Sequence, residues 1–334
     1  MRHDYAYIAF TDQGETLAKR LSSVLGGTVS RGGEHGTIAE WTGAAMKENR
    51  AIVFVGAAGI AVRAIAPYLR GKHRDPAVVV MDEQGKYAIP ILSGHLGGAN
   101  DLARKLAGIT CGEAIITTAT DLNGRFAVDL WAKRQNLVPL QIGRMKEVSM
   151  KALRGIPIRV CCRWAIAGVP PERIVLCTDR TTLEKGDVLV DYRSSSEASL
   201  QLVPRILTLG IGCRRGVRSE QLEEGFVSFC RERDILAQAI RSAASIDLKR
   251  DEAGISAFCE AHGWTIRYDT AEDLAHVEGS FSASAYVKEK VGVDNVCERS
   301  AVLESCGKII EKKYACGGIT FALAEGACAI DWET

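Results

Sequence analysis

The sequence lacks any marked excess of charge of one sign: 42 basic side chains stand against 41 acidic ones in 334 residues, a formal net charge of +1. A general nucleic-acid binder needs a basic face to displace counterions, so that class is disfavoured, although local basic patches stay open. The opening MRHDYAYIAF lacks a long apolar core followed by a small-residue cleavage site, so no signal peptide is expected. The longest charge-free apolar run of note, Ala51 to Val62, is too short for a bilayer, which takes ~20 residues. A soluble, cytoplasmic protein without membrane contact is expected. Cysteine is not scarce, at 11 residues, but it lacks order. There is no Cys-x-x-Cys, no His-x-x-x-His and no His-Glu-x-x-His, so zinc spacings are missing and no metal site is expected. Cys161–Cys162 lies in a strand-like run, IPIRVCCRW, where neighbouring side chains face opposite ways. The thiols read mostly as small core residues in a reducing cytosol.

What is present is an apolar fraction of 47%, enough for real cores, and a length that suits two or three domains. Tyr5–Phe10 reads as a buried strand followed by a helix to about Leu25, and residues 26–36 as a glycine-rich connection. A helix around Ile38–Lys47, the strand Ala51–Val55 and a helix ending near Leu69 follow. Ala77–Met81 and Tyr87–Leu92 flank Asp82-Glu83-Gln84-Gly85 as a hairpin would. A helix over Asp101–Ala107, a strand over Glu113–Thr118 and a helix over Phe126–Gln135 complete an alternating pattern, which argues for a mostly parallel sheet. Between 137 and 203 the pattern loosens into short strands. From Pro204 it resumes, with Ile206–Leu209 as strand, Ser219–Arg231 as helix and Gly317–Ala324 as the last strand. The expected fold is α/β: two α/β domains with mainly parallel or mixed sheets, 1–136 and 204–334, joined by a smaller α/β middle region, 137–203.

Three glycine-rich loops carry the candidate chemistry. Gly56-Ala-Ala-Gly59-Ile-Ala-Val-Arg63 follows a buried strand and opens a helix, where unpaired N–H groups and the helix dipole suit an anion. A tight strand-to-helix turn needs glycine in any case, and Gly-x-Gly-x-x-Gly is absent. Leu92-Ser93-Gly94-His95-Leu96-Gly97-Gly98-Ala99-Asn100-Asp101 holds a hydroxyl, an imidazole, a carboxamide and a carboxylate between glycines. Those groups can supply a base, a nucleophile or an orienting hydrogen bond; alternatively Ser93 is a helix N-cap and His95 a capping residue. Leu209-Gly210-Ile211-Gly212-Cys213-Arg214-Arg215-Gly216 reads as a strand end opening a helix, with two guanidiniums suited to carboxylate or phosphate. The loop lacks the P-loop Lys and hydroxyl. Cys213 could be a thiolate lowered by those arginines, but no histidine partner is apparent, and an anion cradle is the preferred reading. Arg63, Arg70, Lys72, His73 and Arg74 crowd one stretch ending at Asp75-Pro76. Thr117, Thr118 and Asp121 lie at a strand end and offer hydroxyls and a carboxylate to the same rim; Asp121 could instead cap a helix.

At this point the segments FVGAAGIAVRAIAPYL, KHRDPAVVVMDEQGKYAIPILSGHLGGANDLA and AIITTATD resemble the amino-terminal domain of the cobalt-precorrin-5A hydrolase family (CbiG) of anaerobic cobalamin biosynthesis. LGIGCRRG, SIDLKRDE and ITFALAEGA resemble that family's carboxy-terminal domain, in the family's order and over nearly the whole chain. Two stretches depart from its pattern: Arg299-Ser300 replaces small apolar residues, and GSFSASAYV lacks a usual proline–serine pair. The resemblance implies a hydrolase acting on a carbon–carbon bond of a cobalt-bearing, contracted tetrapyrrole. Water opens a δ-lactone and a two-carbon fragment leaves as acetaldehyde, giving cobalt-precorrin-5B. It implies no separate cofactor, since cobalt arrives inside the substrate. In that frame His95 is the expected general base, Asn100 or Ser93 with loop N–H groups serve the oxyanion, and Asp101 orients the imidazole. Gly56, Gly59, Arg63, Gly94, Gly97, Gly98, Thr117, Thr118, Asp121, Gly210, Gly212, Cys213, Arg214 and Arg215 are the expected substrate-binding positions, since the substrate carries many carboxylates. A homodimer and transient contacts with other corrinoid-pathway enzymes are compatible with this role. The alternatives are a non-catalytic corrinoid binder that shelters or channels the intermediate, and, less favoured, a nucleotide-binding regulatory protein.

Overall fold

The computed structural model of the chain describes residues 3–34, 36–71, 74–94, 97–117, 125–195 and 199–332. It divides between residues 130 and 131 into two compact units. The first contains β1 (His3–Ala9), α1 (Asp12–Leu25), β2 (Thr28–Arg31), α2 (Ile38–Glu48), β3 (Asn49–Val55), α3 (Ala58–Ile65), β4 (Ala77–Met81), β5 (Tyr87–Leu92), α4 (Ala99–Thr110) and β6 (Glu113–Ala114). Among the described residues the sheet order is β2-β1-β3-β4-β5-β6. β2, β1, β3 and β4 run parallel; β5 turns back against β4 and β6 follows β5.

Both faces of this sheet are covered, which is why its strands are continuous apolar runs rather than alternating ones. Tyr7, Ala9, Val53, Val55, Val79 and Met81 pack under α1 and α4 with Leu17, Leu21, Leu102 and Leu106. Their strand neighbours Ala6, Ile8, Ile52, Phe54, Val78 and Val80 pack under α2 and α3 with Met46 and Ile65. α2 begins with a capping box in which the Thr37 hydroxyl accepts from Glu40 N–H and the Glu40 carboxylate accepts from Thr37 N–H. Residues 26–36 are more than a connection: Thr28–Arg31 pairs in parallel with Ala6–Ala9 and forms the sheet edge. Glycines on both sides concealed that four-residue strand.

A helix, α5 (Val128–Arg134), spans the boundary between the units. The second unit then runs β7 (Leu137–Pro139), α6 (Met145–Leu153), β8 (Ile158–Cys162), β9 (Ile166–Ala167), β10 (Ile174–Cys177), β11 (Val188–Val190) and β12 (Leu200–Pro204). It continues with β13 (Leu207–Cys213), α7 (Ser219–Glu232), β14 (Ile240–Ile246), α8 (Ala253–His262), β15 (Thr265–Asp269), α9 (Ala271–Ala275), α10 (Ala285–Val291), α11 (Cys297–Ser305), β16 (Lys308–Cys316), β17 (Ile319–Glu325) and β18 (Ile330–Asp331). Residues 137–204 form a sheet of order β10-β8-β11-β12-β7, and residues 207–325 one of order β15-β14-β13-β17-β16. The fold is α/β with mixed sheets.

Tyr192 and Val203 share one core with Leu209, Phe226, Phe229, Phe258 and Phe321, so the two sheets of this unit pack as one body. Glu325 fastens them further: its carboxylate accepts from Trp164 Nε1 at 3.0 Å and from the Tyr192 hydroxyl at 2.9 Å. The departures near the chain's end have local reasons. Arg299 pairs with Asp294 at 3.0 Å, donates to the carbonyls of Leu274 and Val277, and lies over the Phe281 ring. Ser300 is fully buried and donates to the Ala244 carbonyl at 3.3 Å.

Candidate functional site

The LSGHLGGAN loop begins where β5 ends. Ser93 takes a left-handed backbone, φ 55°, and its hydroxyl donates to the Asp75 carbonyl at 3.1 Å. The alternative reading of Ser93 as a helix N-cap is therefore corrected: the N-cap of α4 is Gly98, at φ 87°, with no side-chain cap bond. Ser93 instead serves the helix through its carbonyl, which accepts from Ala99 N–H at 3.1 Å, while the Gly94 carbonyl accepts from Asn100 N–H at 3.0 Å. These two N–H groups are thus spent inside the loop, which shifts any oxyanion role toward side chains. The glycines are required by close approach. A Cβ on Gly97 would overlap Ser93, and one on Gly94 would lie 2.7 Å from Asn100 Oδ1. Asn100 is buried beside that glycine, whereas Asp101 pairs with Arg104 at 3.1 Å. His95, Thr118 and Asp121 lie outside the described residues.

The reversal of β5 decides which loops can meet. Leu92 stands beside Val78, near the start of β4, whereas Ala88 stands beside Met81 at its end. Ser93 therefore emerges at the amino-terminal edge of β1, β3 and β4. Thr117 follows β6, which runs with β5, toward that same edge. The loop of Gly56 and Gly59 leaves β3 at the opposite edge, where Gly56 N–H donates to the Met81 carbonyl. A Cβ there would come within 2.9 Å of the Phe10 ring, and the Thr11 hydroxyl donates to Glu83. The exposed Arg63 turns back toward its own helix, donating to the Gly59 carbonyl at 3.4 Å. The first two loops do not converge on one rim of this sheet.

In the second unit, the GIGCRRG segment is strand as far as Cys213, not only to Leu209. Gly210 is glycine because α11 crosses it: a Cβ would overlap the Cys297 carbonyl. A Cβ on Gly212 would meet Thr320 Oγ1 at 2.5 Å. The turn proper starts at Arg214, whose N–H donates to the Gly318 carbonyl, and Arg214 and Arg215 are exposed. SIDLKRDE, following β14, meets this turn: Glu252 accepts from Gly216 N–H at 2.9 Å and from Lys249 Nζ at 3.2 Å. Burial pushes Glu252 upward, but those donors and Arg215 outweigh it and hold its carboxyl below the usual range. The less favoured alternative, in which the arginines lower the Cys213 thiol, is corrected. Burial raises it to about 11, and the nearby cation acting against that rise is Lys249. Among the described residues no group of three or more His, Cys, Asp or Glu is placed to hold a metal ion. No helix among them is long and apolar enough to cross a membrane.

Comparison with known proteins follows the same two segments. The family described as Cobalamin synthesis G N-terminal matches residues 40–121, and Cobalamin synthesis G C-terminus matches 207–324. The cobalt-precorrin-5A hydrolase of Salmonella typhimurium is 31% identical over 95% of this chain and 96% of its own. The chain belongs to the cobalt-precorrin-5A hydrolase family. The Priestia megaterium member is 27% identical over 97% of this chain and 95% of its own. A solved cobalamin biosynthesis protein G homolog from Sulfolobus solfataricus has 22% identity and a TM-score of 0.41, covering 97% of each chain. The family's amino-terminal segment contains Gly56, Gly59, Arg63, the 93–101 loop and Thr117; its carboxy-terminal segment contains the 210–216 turn and 245–252. Asp75, Lys249 and Glu252 were not among the residues expected to act. Their signal was proximity in the fold, since Asp75 is 18 residues from Ser93 and Glu252 is 36 from Gly216.

Proposed function

We propose that this chain is a cobalt-precorrin-5A hydrolase, taking a cobalt-bearing, contracted tetrapyrrole lactone to cobalt-precorrin-5B and acetaldehyde. The observation that carries this reading is the 31% identity to the Salmonella typhimurium hydrolase across nearly the full length of both chains. The chemistry is hydrolysis followed by carbon–carbon cleavage. A base takes a proton from water, the hydroxide adds to the lactone carbonyl, and the ester C–O bond breaks to a carboxylate and an alcohol. Deprotonation of that alcohol lets its oxygen become the aldehyde carbonyl. The electron pair of the broken carbon–carbon bond passes to the macrocycle, which takes a proton.

His95 is the proposed base on a chemical ground: the ordinary pKa of an imidazole, about 6.5, lies near working pH. The buried Asn100 carboxamide and the Ser93 hydroxyl are the proposed oxyanion donors; the N–H groups of Ala99 and Asn100 are held inside the loop, and the Ser93 hydroxyl serves by turning its proton from the Asp75 carbonyl to the substrate oxygen. Asp101 would orient the imidazole only by giving up Arg104. The exposed Arg214 and Arg215 offer guanidiniums to substrate carboxylates. The proposal places cobalt with the substrate and calls on no separate cofactor, and it assigns the enzyme to the cytoplasm. A homodimer and transient contacts with neighbouring enzymes of the same route belong to the same proposal.

The test is anaerobic incubation with the cobalt lactone precursor, following acetaldehyde and the mass of the corrinoid product. His95→Ala is expected to lower turnover by about 10²–10⁴. If His95→Ala and Ser93→Ala both release acetaldehyde at the wild-type rate while binding substrate, the catalytic assignment fails. If the wild-type chain yields none, the hydrolase reading fails.

A further inference from the structure

In the first unit, a cavity of about 400 Å³ is lined by Gly43, Met46, Lys47, Tyr68, Arg70, Arg74 and Asp75. We propose that this cavity is a carboxylate subsite of the substrate-binding surface, taking an acetate or propionate side chain of the macrocycle. This inference rests on the hydrolase reading and deepens it.

Three observations build the site. First, its walls are fixed. Gly43 lets the Tyr68 ring lie against α2, since a Cβ there would come within 2.9 Å of the ring, and the Tyr68 hydroxyl donates to the Ala39 carbonyl at 2.7 Å. With the buried Met46 the ring supplies an apolar wall suited to a methylene chain. Second, the charge is one-sided. The single acid in the lining, Asp75, is buried, and its carboxylate accepts from the N–H groups of Arg70, at 2.9 and 3.2 Å, and Gly71, at 3.0 Å. Those bonds tie its carboxylate to the turn's own main chain, and neither Lys47 nor Arg70 forms an ion pair with it or with any other acid among the described residues. Exposed cations at a helix end ordinarily serve only the dipole. Here Lys47 ends one helix while Arg70 comes from a different loop, and both face a shared concavity. Third, the cavity adjoins the candidate catalytic loop: the residue that pins its rim, Asp75, accepts the Ser93 hydrogen bond at 3.1 Å. A carboxylate held here would anchor the macrocycle one residue from that loop.

The experiment uses the full chain and the double variant Lys47→Ala/Arg70→Ala; both side chains are exposed, so folding is not at risk. Arg70→Lys and Arg70→Glu are made as graded variants. With the cobalt lactone precursor, the double variant is expected to raise KM by roughly tenfold or more with kcat within about threefold of wild type. Arg70→Lys should recover part of the loss and Arg70→Glu deepen it. A second arm titrates cobyrinic acid, whose side chains are free carboxylates, against cobinamide, whose side chains are amides, by the corrinoid absorption band. Wild type should favour the acid, and the double variant should lose that preference. An unchanged KM and an unchanged preference overturn the subsite. Inorganic phosphate or ATP displacing the acid from wild type but not from the double variant, with KM unchanged, overturns it in favour of a phosphate site. If wild type releases no acetaldehyde, the hydrolase reading fails, and the titration still decides the subsite.

Discussion

Cys213 sits beside two arginines in sequence and behaves, in the folded chain, as a partly buried thiol held protonated. Its raised pKa of about 11 leaves on the order of one part in a thousand as thiolate at pH 8. Iodoacetamide at that pH is therefore expected to alkylate the exposed Cys111 and Cys306 well before Cys213, as read by peptide mass spectrometry. Rapid labelling of Cys213 would reverse this ordering and reopen a nucleophilic role. The glycines divide in the same way between appearance and cause. Gly94 and Gly97 are set by their approach to Asn100 and Ser93 and so belong to the shape of the candidate loop. Gly210 is set by the crossing of α11 and belongs to packing. Sequence spacing presents all of them alike, because a glycine that admits a ligand and one that admits a helix leave the same letter. The residues of the candidate loop were legible as a group for that reason, and their individual duties were not.

Elements with a continuous apolar run or a strong cap were readable: β3, the β4–β5 hairpin, α1 and α2. β2 and the latter half of β13 were hidden because glycine reads as a break. The hairpin signal at Asp82–Gly85 already reverses the chain, and with it the edge at which Ser93 emerges; a rim assigned from strand ends alone misses this. The short strands of residues 137–204 depend instead on a buried charge. Asp187, fully buried between β8, β11 and α6, accepts from Lys151 Nζ at 2.7 Å, from Arg159 Nε and N–H at 3.0 Å each, and from Glu184 N–H at 2.9 Å. Burial alone would raise its pKa; the bonds from Lys151, Glu184 and Arg159 outweigh it and hold the carboxyl low. A folded-state pKa below the unfolded value of about 3.9 gives stability that is present above that pH and lost as pH falls through the folded value. Asp187→Asn is expected to cost about 3–5 kcal/mol near neutrality. In urea denaturation the gap from wild type should stay constant above about pH 5 and shrink below about pH 4. A gap independent of pH would show that the charge is not what holds these strands.

For the whole molecule, a net charge of +1 conceals opposed local balances. Cations gather at the cavity of the first unit and at the turn after β13, while acids such as Asp75, Glu252 and Asp187 are absorbed by main-chain donors and internal pairs. A polyanionic substrate should sense those cations through screened fields, since the Debye length shortens from roughly 14 Å to 4 Å between about 0.05 and 0.5 M salt. KM for the cobalt lactone is expected to rise over that range with kcat nearly constant, and to rise less steeply in Lys47→Ala/Arg70→Ala. A flat salt profile in wild type would argue that shape, not charge, selects the substrate. The family was legible from motifs in their order along the chain; the meeting of SIDLKRDE with Arg215–Gly216, and of Lys47 with Arg70, was not, because neither pair shares a local period. The order of strands bears also on how the chain is made. Among the described residues the sheet of the first unit has all its strands once residue 114 has been synthesised, whereas in the second unit β17 fits between β13 and β16, and β18 pairs back to β9. On the ribosome, β13 must therefore wait with a bare edge, and Leu209 and Ile211 without Phe321, until residues 319–325 emerge. A nascent chain stalled short of that point exposes an apolar strand edge, the form in which such sheets aggregate and chaperones act.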